Sequence, residues 1–263
     1  MKVNRESTDS IPSSPAPVEA SPDGGPGNPF VDLRVAITGG TSGLGLALVR
    51  VLLNRGAKVA FVARRRDGVE QVLRELPGTH GVVGDVSRKE DIHPIAMQIV
   101  GVLRGLDVLI NNASDLGPMP LKLLADTECE DFGRALATNV LGPFRLTKAL
   151  LGSLAASARE GRGAVVVNVS SDAALNAYPH WGAYGASKAA LLHLSRIWDE
   201  ELSQEGVRIV SFDPGDMDTP MHSAAVPDAD KSTLKPPKAA ARELAAAVAA
   251  VLSQRPIVHE AIP

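Results

Sequence analysis

Leu33 to Gly45 reads LRVAITGGTSGLG: a short apolar run, closed by a threonine and then broken by closely spaced glycines. The run predicts a buried β-strand. The residues that follow, Leu44-Gly-Leu-Ala-Leu-Val-Arg-Val-Leu-Leu-Asn-Arg-Gly56, predict a helix with Gly56 as its stop. Outward from this unit the same alternation repeats. Apolar strands are expected at AKVAFVA, HGVVGDV (ending on Asp85-Val86), LDVLINN, GAVVVNVS and VRIVSFD. Helices are expected at about 66–76, 88–104, 127–157 and 182–205, with an alanine-rich one to about Ser253. The 127–157 helix is expected to kink near Gly142-Pro143. Strands apolar on both faces and alternating with helices imply an α/β fold, a doubly wound parallel sheet of six or seven strands with helices on both sides. A seventh strand would have to be short, near Ile257-Val258.

Composition bounds the partners. Residues 1–29 are rich in Pro, Ser, Gly and Asp and nearly devoid of large apolar side chains, so they are expected to be a disordered tail before a single domain over 30–263. A net charge of -3 provides no basic field for nucleic acid. No apolar run approaches the ~20 residues of a membrane span, and the N-terminus lacks the apolar segment of a signal peptide. A cytoplasmic protein is expected. The single cysteine, Cys129, excludes an intrachain disulfide, and scattered histidines give no metal-ligand spacing, so no metal is expected.

The glycine turn Gly39-Gly40-Thr41-Ser42-Gly43-Leu44-Gly45 sits where a strand gives way to a helix. Glycines there let backbone approach a pyrophosphate, and a helix N-terminus offers it free N–H groups; a turn that needs glycine only for packing is the plainer reading. After the second strand stands Ala63-Arg64-Arg65-Arg66. No carboxylate is offered to ribose hydroxyls, whereas Arg64, with Arg65 beside it, suits the 2′-phosphate that distinguishes NADP(H) from NAD(H). Asp85-Val86 and Asn111-Asn112-Ala113 fall at strand ends, where an open parallel sheet keeps its ligand crevice. Asn139 falls inside a helix, where its propensity is poor. Tyr184 and Lys188 are four apart on a helix and share a face, so the ammonium is expected to favour the phenolate and lower the tyrosine pKa. Ser171 closes the strand before them.

From Leu33 to about Thr219 these elements, in this order, resemble the short-chain dehydrogenase/reductases. The resemblance rests on TGxxxGxG (Thr38, Gly39, Gly43, Gly45), Asp85-Val86, Asn111-Asn112-Ala113, Asn139, Ser171 thirteen residues before Tyr184, YxxxK, and Pro214-Gly215 with Thr219. It implies a Rossmann fold and an oxidoreductase moving a hydride between NADP(H), preferred over NAD(H), and a small-molecule carbonyl or secondary alcohol. Asn139, Ser171, Tyr184 and Lys188 would be its catalytic tetrad. Tyr184 would be the acid in reduction and base in oxidation, Ser171 would hold the substrate oxygen, Lys188 the nicotinamide ribose, and Asn139 a relay water. The backbone from Thr41 and Ser42 to Leu44 would meet the phosphates, and Thr219 the carboxamide. A homodimer or homotetramer is implied, with helices 127–157 and 182–205 available for pairing. Two departures stand out: Ser114 follows Asn-Asn-Ala where the family usually has glycine, and the chain lacks a glycine-rich end. A related epimerase or dehydratase, or a non-catalytic NADP(H)-binding sensor, are the rival readings. Met217, Met221, His222 and Val226 are expected near the substrate.

Overall fold

A computed structural model of the chain describes residues 28–254; the expected tail up to Gly27 and the expected strand at 257–258 lie outside the described residues. Six strands, β1 (Arg34–Thr38), β2 (Lys58–Ala63), β3 (His80–Val83), β4 (Val108–Asn111), β5 (Ala164–Val169) and β6 (Val207–Phe212), form one all-parallel sheet in the order β3-β2-β1-β4-β5-β6. The chain moves outward one way from β1 and then returns to β4 and moves the other way. The carboxyl ends of β1 and β4 therefore flank the point where a crevice opens.

Helices α1 (Gly43–Asn54), α2 (Arg66–Glu75), α3 (Lys89–Leu103), α4 (Cys129–Leu136), α5 (Gly142–Arg159), α6 (Gly182–Leu202), α7 (Pro220–Ala225) and α8 (Pro237–Ser253) complete the described residues with short 3-10 turns. Alternate strand residues supply two cores. Val35, Ile37, Val59, Phe61, Val108, Ile110, Val165 and Val167 pack under α1, α2 and α8. Ala36, Ala60, Val62, Leu109 and Val166 pack under α3 and α5. A period of two with both faces buried is why the four inner strands β1, β2, β4 and β5 read as near-continuous apolar runs, whereas the edge strands β3 and β6 are partly exposed. Ala240, Ala241 and Ala245 are all buried, so the small side chains of α8 form the face laid against the sheet and α1. No helix among the described residues is long and apolar enough to cross a membrane.

Two boundaries differ from the sequence expectation. The third strand stops at Val83 rather than Val86: Asp85 turns its carboxylate back onto the N–H and hydroxyl of Ser87, at 2.9 and 2.7 Å, which bends the backbone off the sheet. The helix expected at 127–157 is two helices, and the irregularity comes before Gly142. Ala137–Leu141 forms a single wide π-type turn between α4 and α5, with Asn139 inside it. Pro143 then occupies the first turn of α5, where its missing N–H costs little.

At the opposite, amino-terminal edge of the sheet lies a buried ionic hub. The fully buried side chain of Asp107 accepts from the Arg34 N–H (2.8 Å), from the Arg34 guanidinium (2.7 Å at closest) and from Arg162 (2.9 Å). Arg34 also donates to Ser157 Oγ and to the Arg104 carbonyl, so β1, β4, the end of α5 and the lead into β5 meet on one carboxylate. Burial alone would raise its pKa; hydrogen bonds from Arg162 and Arg34 outweigh that and hold it at about 2. A carboxylate held below its unfolded value of 3.8 contributes stability present above pH 4 and lost as pH falls through 2. Urea unfolding from pH 6 down to pH 2.5 is expected to lose about 2 kcal/mol more in the wild type than in Asp107→Asn. At pH 6 the variant is expected to be less stable by about 3 kcal/mol, because two arginines lose their buried partner.

Candidate active site

A cavity of about 750 Å³ opens at the carboxyl ends of the strands, lined from the turns after β1, β2, β3, β4, β5 and β6. Its volume is within the range of about 300–1,000 Å³ typical of ligand pockets. Of the residues singled out in the sequence, Gly39, Thr41, Ser42, Gly43, Leu44, Arg64, Asp85, Val86, Asn112, Ala113, Ser171, Tyr184, Lys188, Pro214, Gly215 and Thr219 all line it. Gly45, Arg65 and Asn139 do not.

The glycine turn is shaped by close approach. Gly39 has φ +72, and a Cβ there would sit 2.9 Å from the Asn112 side-chain nitrogen. A Cβ on Gly45 would collide with the Gly39 carbonyl, so this glycine acts beneath the turn by letting α1 pack against it. Thr38 Oγ1 accepts from the N–H groups of Asn112 (3.0 Å) and Ala113 (2.9 Å), and Asn112 Nδ2 donates to the Thr38 carbonyl (2.8 Å). These bonds fasten the ends of β1 and β4 together beside the crevice. At the start of α1, Ser42 makes no side-chain capping bond and no acidic residue occupies the first turn. The helix N-terminus is thus polarised towards the cavity without a competing anion, which fits a phosphate-bearing ligand. Arg64 is exposed on the cavity wall and carries no ion pair among the described residues. Arg65, expected beside Arg64 at the cofactor, is instead the residue before α2; it faces solvent, 3.8 Å from Asp67.

At the far end of the cavity stand the groups for proton transfer. Beyond β5 the chain stays extended through Ser171, whose Oγ accepts from Ala173 N (3.2 Å) and donates to Asp172 Oδ1 (3.1 Å). Asp172 Oδ2 in turn accepts from the Tyr178 hydroxyl at 2.6 Å. Tyr184 and Lys188 lie on the buried face of α6, with Lys188 Nζ 5.5 Å from the centre of the phenol ring. Lys188 Nζ donates to the Val169 carbonyl at 2.7 Å, tying the helix to the end of β5. Burial pulls the lysine down to about 8, against the opposing charge of Asp213. The expected lowering of the tyrosine is not found: Tyr184 is pushed up to about 12. Burial is the main cause, Asp213 and Asp172 add to it, and hydrogen bonding with Ser171 and Ser114 pulls it back only in part. Desolvation, which penalises both charged forms, outweighs the attraction inferred from the i, i+4 spacing.

The side chain of Asn139, to which the resemblance assigns a relay water, is engaged by protein partners. Its Oδ1 accepts from Ser114 Oγ (3.1 Å) and Asp115 N (2.8 Å), while its Nδ2 donates to the Asp115 carbonyl (2.7 Å) and Ser187 Oγ (2.8 Å). That satisfies all four positions of the amide. The side chain is a clamp between the loop after β4 and α6. Thr219 likewise spends its hydroxyl partly on structure, accepting from His222 N (3.2 Å) as the cap of α7. Three acidic wall residues escape the sequence motifs, Asp172, Asp213 and Asp216, each directly beside a residue that belongs to one. Their position at the ends of β5 and β6 is the signal that points to them.

A doubly wound sheet with this glycine turn, and a cavity ending on a serine, a tyrosine and a lysine, defines a nucleotide-binding oxidoreductase. Residues 34–230 match the family model described as short chain dehydrogenase, and the chain belongs to the short-chain dehydrogenase/reductase family. It is 34% identical over 185 residues to an uncharacterised oxidoreductase of Thermotoga maritima, covering 69% of this chain and 70% of that protein. With an uncharacterised short-chain type dehydrogenase/reductase of Sinorhizobium fredii it shares 33% identity over 188 residues, which is 71% of this chain but only 33% of the relative's length. Among solved structures it is similar to a 3-ketoacyl-(acyl-carrier-protein) reductase from Brucella melitensis complexed with NADH, with a TM-score of 0.77 and 26% identity over 82% of this chain and 90% of that one. A short-chain dehydrogenase from Shigella flexneri complexed with NADP gives a TM-score of 0.73 and 26% identity, covering 80% and 89%.

Replacing Asn139 with alanine strands the Asp115 N–H and carbonyl and loosens Ser187. A loss of about 2–4 kcal/mol in urea unfolding is expected. Ser171→Ala, which removes the cap on Ala173 N and the bond to Asp172, is expected to cost about 0.5–1 kcal/mol in the same assay.

Proposed function

We propose that this chain interconverts a carbonyl and a secondary alcohol with NADP(H), with Tyr184 as the proton donor and acceptor. The observation that carries this reading is that one cavity holds the glycine turn and Arg64 at one end and Ser171, Tyr184 and Lys188 at the other. A bound nicotinamide supplies the hydride in reduction and accepts it in oxidation. In reduction, Tyr184 Oη gives its proton to the oxygen that becomes the alcohol, and Ser171 Oγ, its proton turned from Asp172 Oδ1, donates a hydrogen bond to the same oxygen as negative charge builds on it. At neutral pH the phenol is protonated and thus ready for the acid role. Lys188, held by Val169, keeps a positive charge near the tyrosine and offers its remaining N–H bonds to a ribose hydroxyl. Asn139 holds the loop carrying Ser114 and Asp115 against α6, and so fixes Tyr184 from behind.

The NADP(H) preference rests on Arg64 and on Ala63, which presents no carboxylate there. The neighbours with bound NADH and NADP support a nicotinamide cofactor of either kind. Leu116, Trp181, Met217 and Met221 give the substrate end an apolar lining interrupted by Asp172 and Asp213, which suits an uncharged carbonyl compound. A dimer or tetramer is part of the proposal, with α4, α5 and α6 as the helices available for pairing.

Fluorescence titration of wild type and Arg64→Ala with NADPH and NADH tests the cofactor assignment. Loss of one charge-assisted contact is expected to weaken NADPH about tenfold or more and to leave NADH unchanged. Equal affinities for both cofactors in the wild type, unmoved by the substitution, would remove the Arg64 assignment. Tyr184→Phe is expected to retain NADPH binding and to lose at least about a hundredfold in turnover across a panel of small ketones and aldehydes.

A further inference from the structure

The turn after β5 brings into the cavity a carboxylate that the proton transfer does not use. Asp172 follows Ser171 directly, opens the 3-10 turn Asp172–Ala174 and lines the cavity wall. Its two oxygens differ in their partners. Oδ2 accepts from the Tyr178 hydroxyl at 2.6 Å, and the Asp172 carbonyl accepts from Asn176 N at 2.9 Å, so side chain and backbone are both fastened to the loop that leads to α6. Oδ1 has one donor among the described residues, the Ser171 hydroxyl at 3.1 Å. That donor is called away in the proposed reaction. When Ser171 Oγ turns its proton to the reacting oxygen, Oδ1 loses its bond, and the carboxylate cannot follow because Tyr178 holds its other oxygen. A charged acceptor left without a donor, on a wall from which substrate has displaced water, is destabilised. The bound substrate is placed to supply the missing donor.

Distances say where the substrate must carry it. The reacting oxygen lies about 2.8 Å from Ser171 Oγ once it accepts from it, and Asp172 Oδ1 lies 3.1 Å from the same Oγ. A hydroxyl on the carbon next to the carbonyl stands about 3 Å from the carbonyl oxygen. It would sit about 2.7 Å from a carboxylate oxygen to which it donates. The four oxygens then close a ring whose edges are all about 3 Å. A ketone with only alkyl neighbours leaves Oδ1 unpaired. One with a carboxylate at that carbon meets Asp172 with like charge, and Asp213 and Asp216 on the same cavity wall add to the repulsion.

We infer that Asp172 is a specificity-determining residue, and that the substrate of this site is an α-hydroxy carbonyl compound in reduction and a vicinal diol in oxidation, with Asp172 Oδ1 accepting from the neighbouring hydroxyl. The inference rests on the proposed carbonyl–alcohol chemistry. No bond to Asp172 is made or broken and its charge is constant; the carbonyl carbon takes the hydride and its oxygen takes the Tyr184 proton, while the second hydroxyl keeps its own.

The test compares hydroxyacetone with methoxyacetone, which keeps the electron-withdrawing oxygen and removes the O–H donor, in wild type, Asp172→Ala and Asp172→Asn. Wild-type kcat/KM is expected to favour hydroxyacetone by about tenfold or more. In Asp172→Ala both values fall because Ser171 loses its partner, and the ratio between them is expected to shrink to about threefold or less. A purely structural role would lower both values and leave the ratio unchanged. Asp172→Asn, which keeps the side-chain volume and one acceptor oxygen, is expected to fall between the two and replaces Asp172→Ala if that variant does not fold. In parallel, ligand-observed NMR titration of the NADP-loaded proteins compares propylene glycol with its monomethyl ether, and the diol is expected to bind more tightly to wild type alone. Turnover with no preference for the hydroxyl, or with a preference that Asp172→Ala leaves intact, overturns the inference and upholds the redox reading. A diol preference in binding that vanishes in Asp172→Ala, with no ketone reduced, upholds the recognition and removes the redox reading. No preference in binding and no turnover overturn both.

Discussion

A buried ammonium that makes no ion pair among the described residues, with only the more distant charge of Asp213 acting on it, is the constraint on which this site depends. Lys188 lies in the sheet–helix interface, and its one close partner is the Val169 carbonyl at the end of β5. Water would solvate that charge far better than a single carbonyl does, which is why burial pulls the lysine towards neutrality. The arrangement survives only if β5 ends where it does and α6 begins at a fixed height above it. The six residues of β5 are buried on both faces, and the first two turns of α6 bury Ala183, Tyr184, Ser187 and Lys188 together. The fold holds the charge; the charge does not hold the fold.

The layer behind the lysine is polar and paired throughout. Asn111 Nδ2 donates to Asn168 Oδ1 across the β4–β5 ladder at 2.8 Å, and Asn168 Nδ2 donates to Ser195 Oγ on α6 at 2.8 Å. Buried amides in such a position are costly unless every bond is made, and once made they fix strand register and helix height together. Asn139 extends the same logic sideways, from the wide turn between α4 and α5 to the loop after β4. Regular α-helical hydrogen bonding is given up over Ala137–Leu141, and a saturated side-chain clamp stands in that stretch. The irregularity therefore sits next to the reacting groups, where positioning matters more than helix regularity.

Much of this architecture is legible in the order of the amino acids. Strand identity comes through for the inner strands because each is covered on both sides, so the apolar runs at LRVAIT, AKVAFVA and GAVVVNVS read as buried strands. Sixteen of the nineteen singled-out positions line one cavity, since glycine turns and strand-end polar residues are local features and topology collects them. What sequence spacing does not carry is direction and desolvation. Arg65 is adjacent to Arg64 but, as the residue that caps α2, it faces solvent. Asn139 stands out as a misfit within its helix, yet its partners come from a loop and a helix distant in the chain. The sign of the Tyr184 shift escapes the spacing for the same reason: an i, i+4 lysine is visible in a sequence, whereas the burial that outweighs it is a property of the packed whole.

Stability and chemistry occupy opposite edges of the sheet. Asp107 and its two arginines close the amino-terminal edge with charge that is fully paired, while the carboxyl-terminal edge carries charges that burial opposes. Tyr184 at about 12 and Lys188 at about 8 are two results of one environment: both phenolate and ammonium are disfavoured, so both groups are displaced towards their neutral forms. For the proposed reaction the consequence is asymmetric. A protonated phenol meets the needs of reduction as it stands, because its proton is present at neutral pH and leaves for an alkoxide that is a stronger base. Oxidation asks for the phenolate, which Asp172 and Asp213 oppose, and needs donors and positive charge brought to the tyrosine oxygen. The direction that leaves the resting charges of this site undisturbed is reduction.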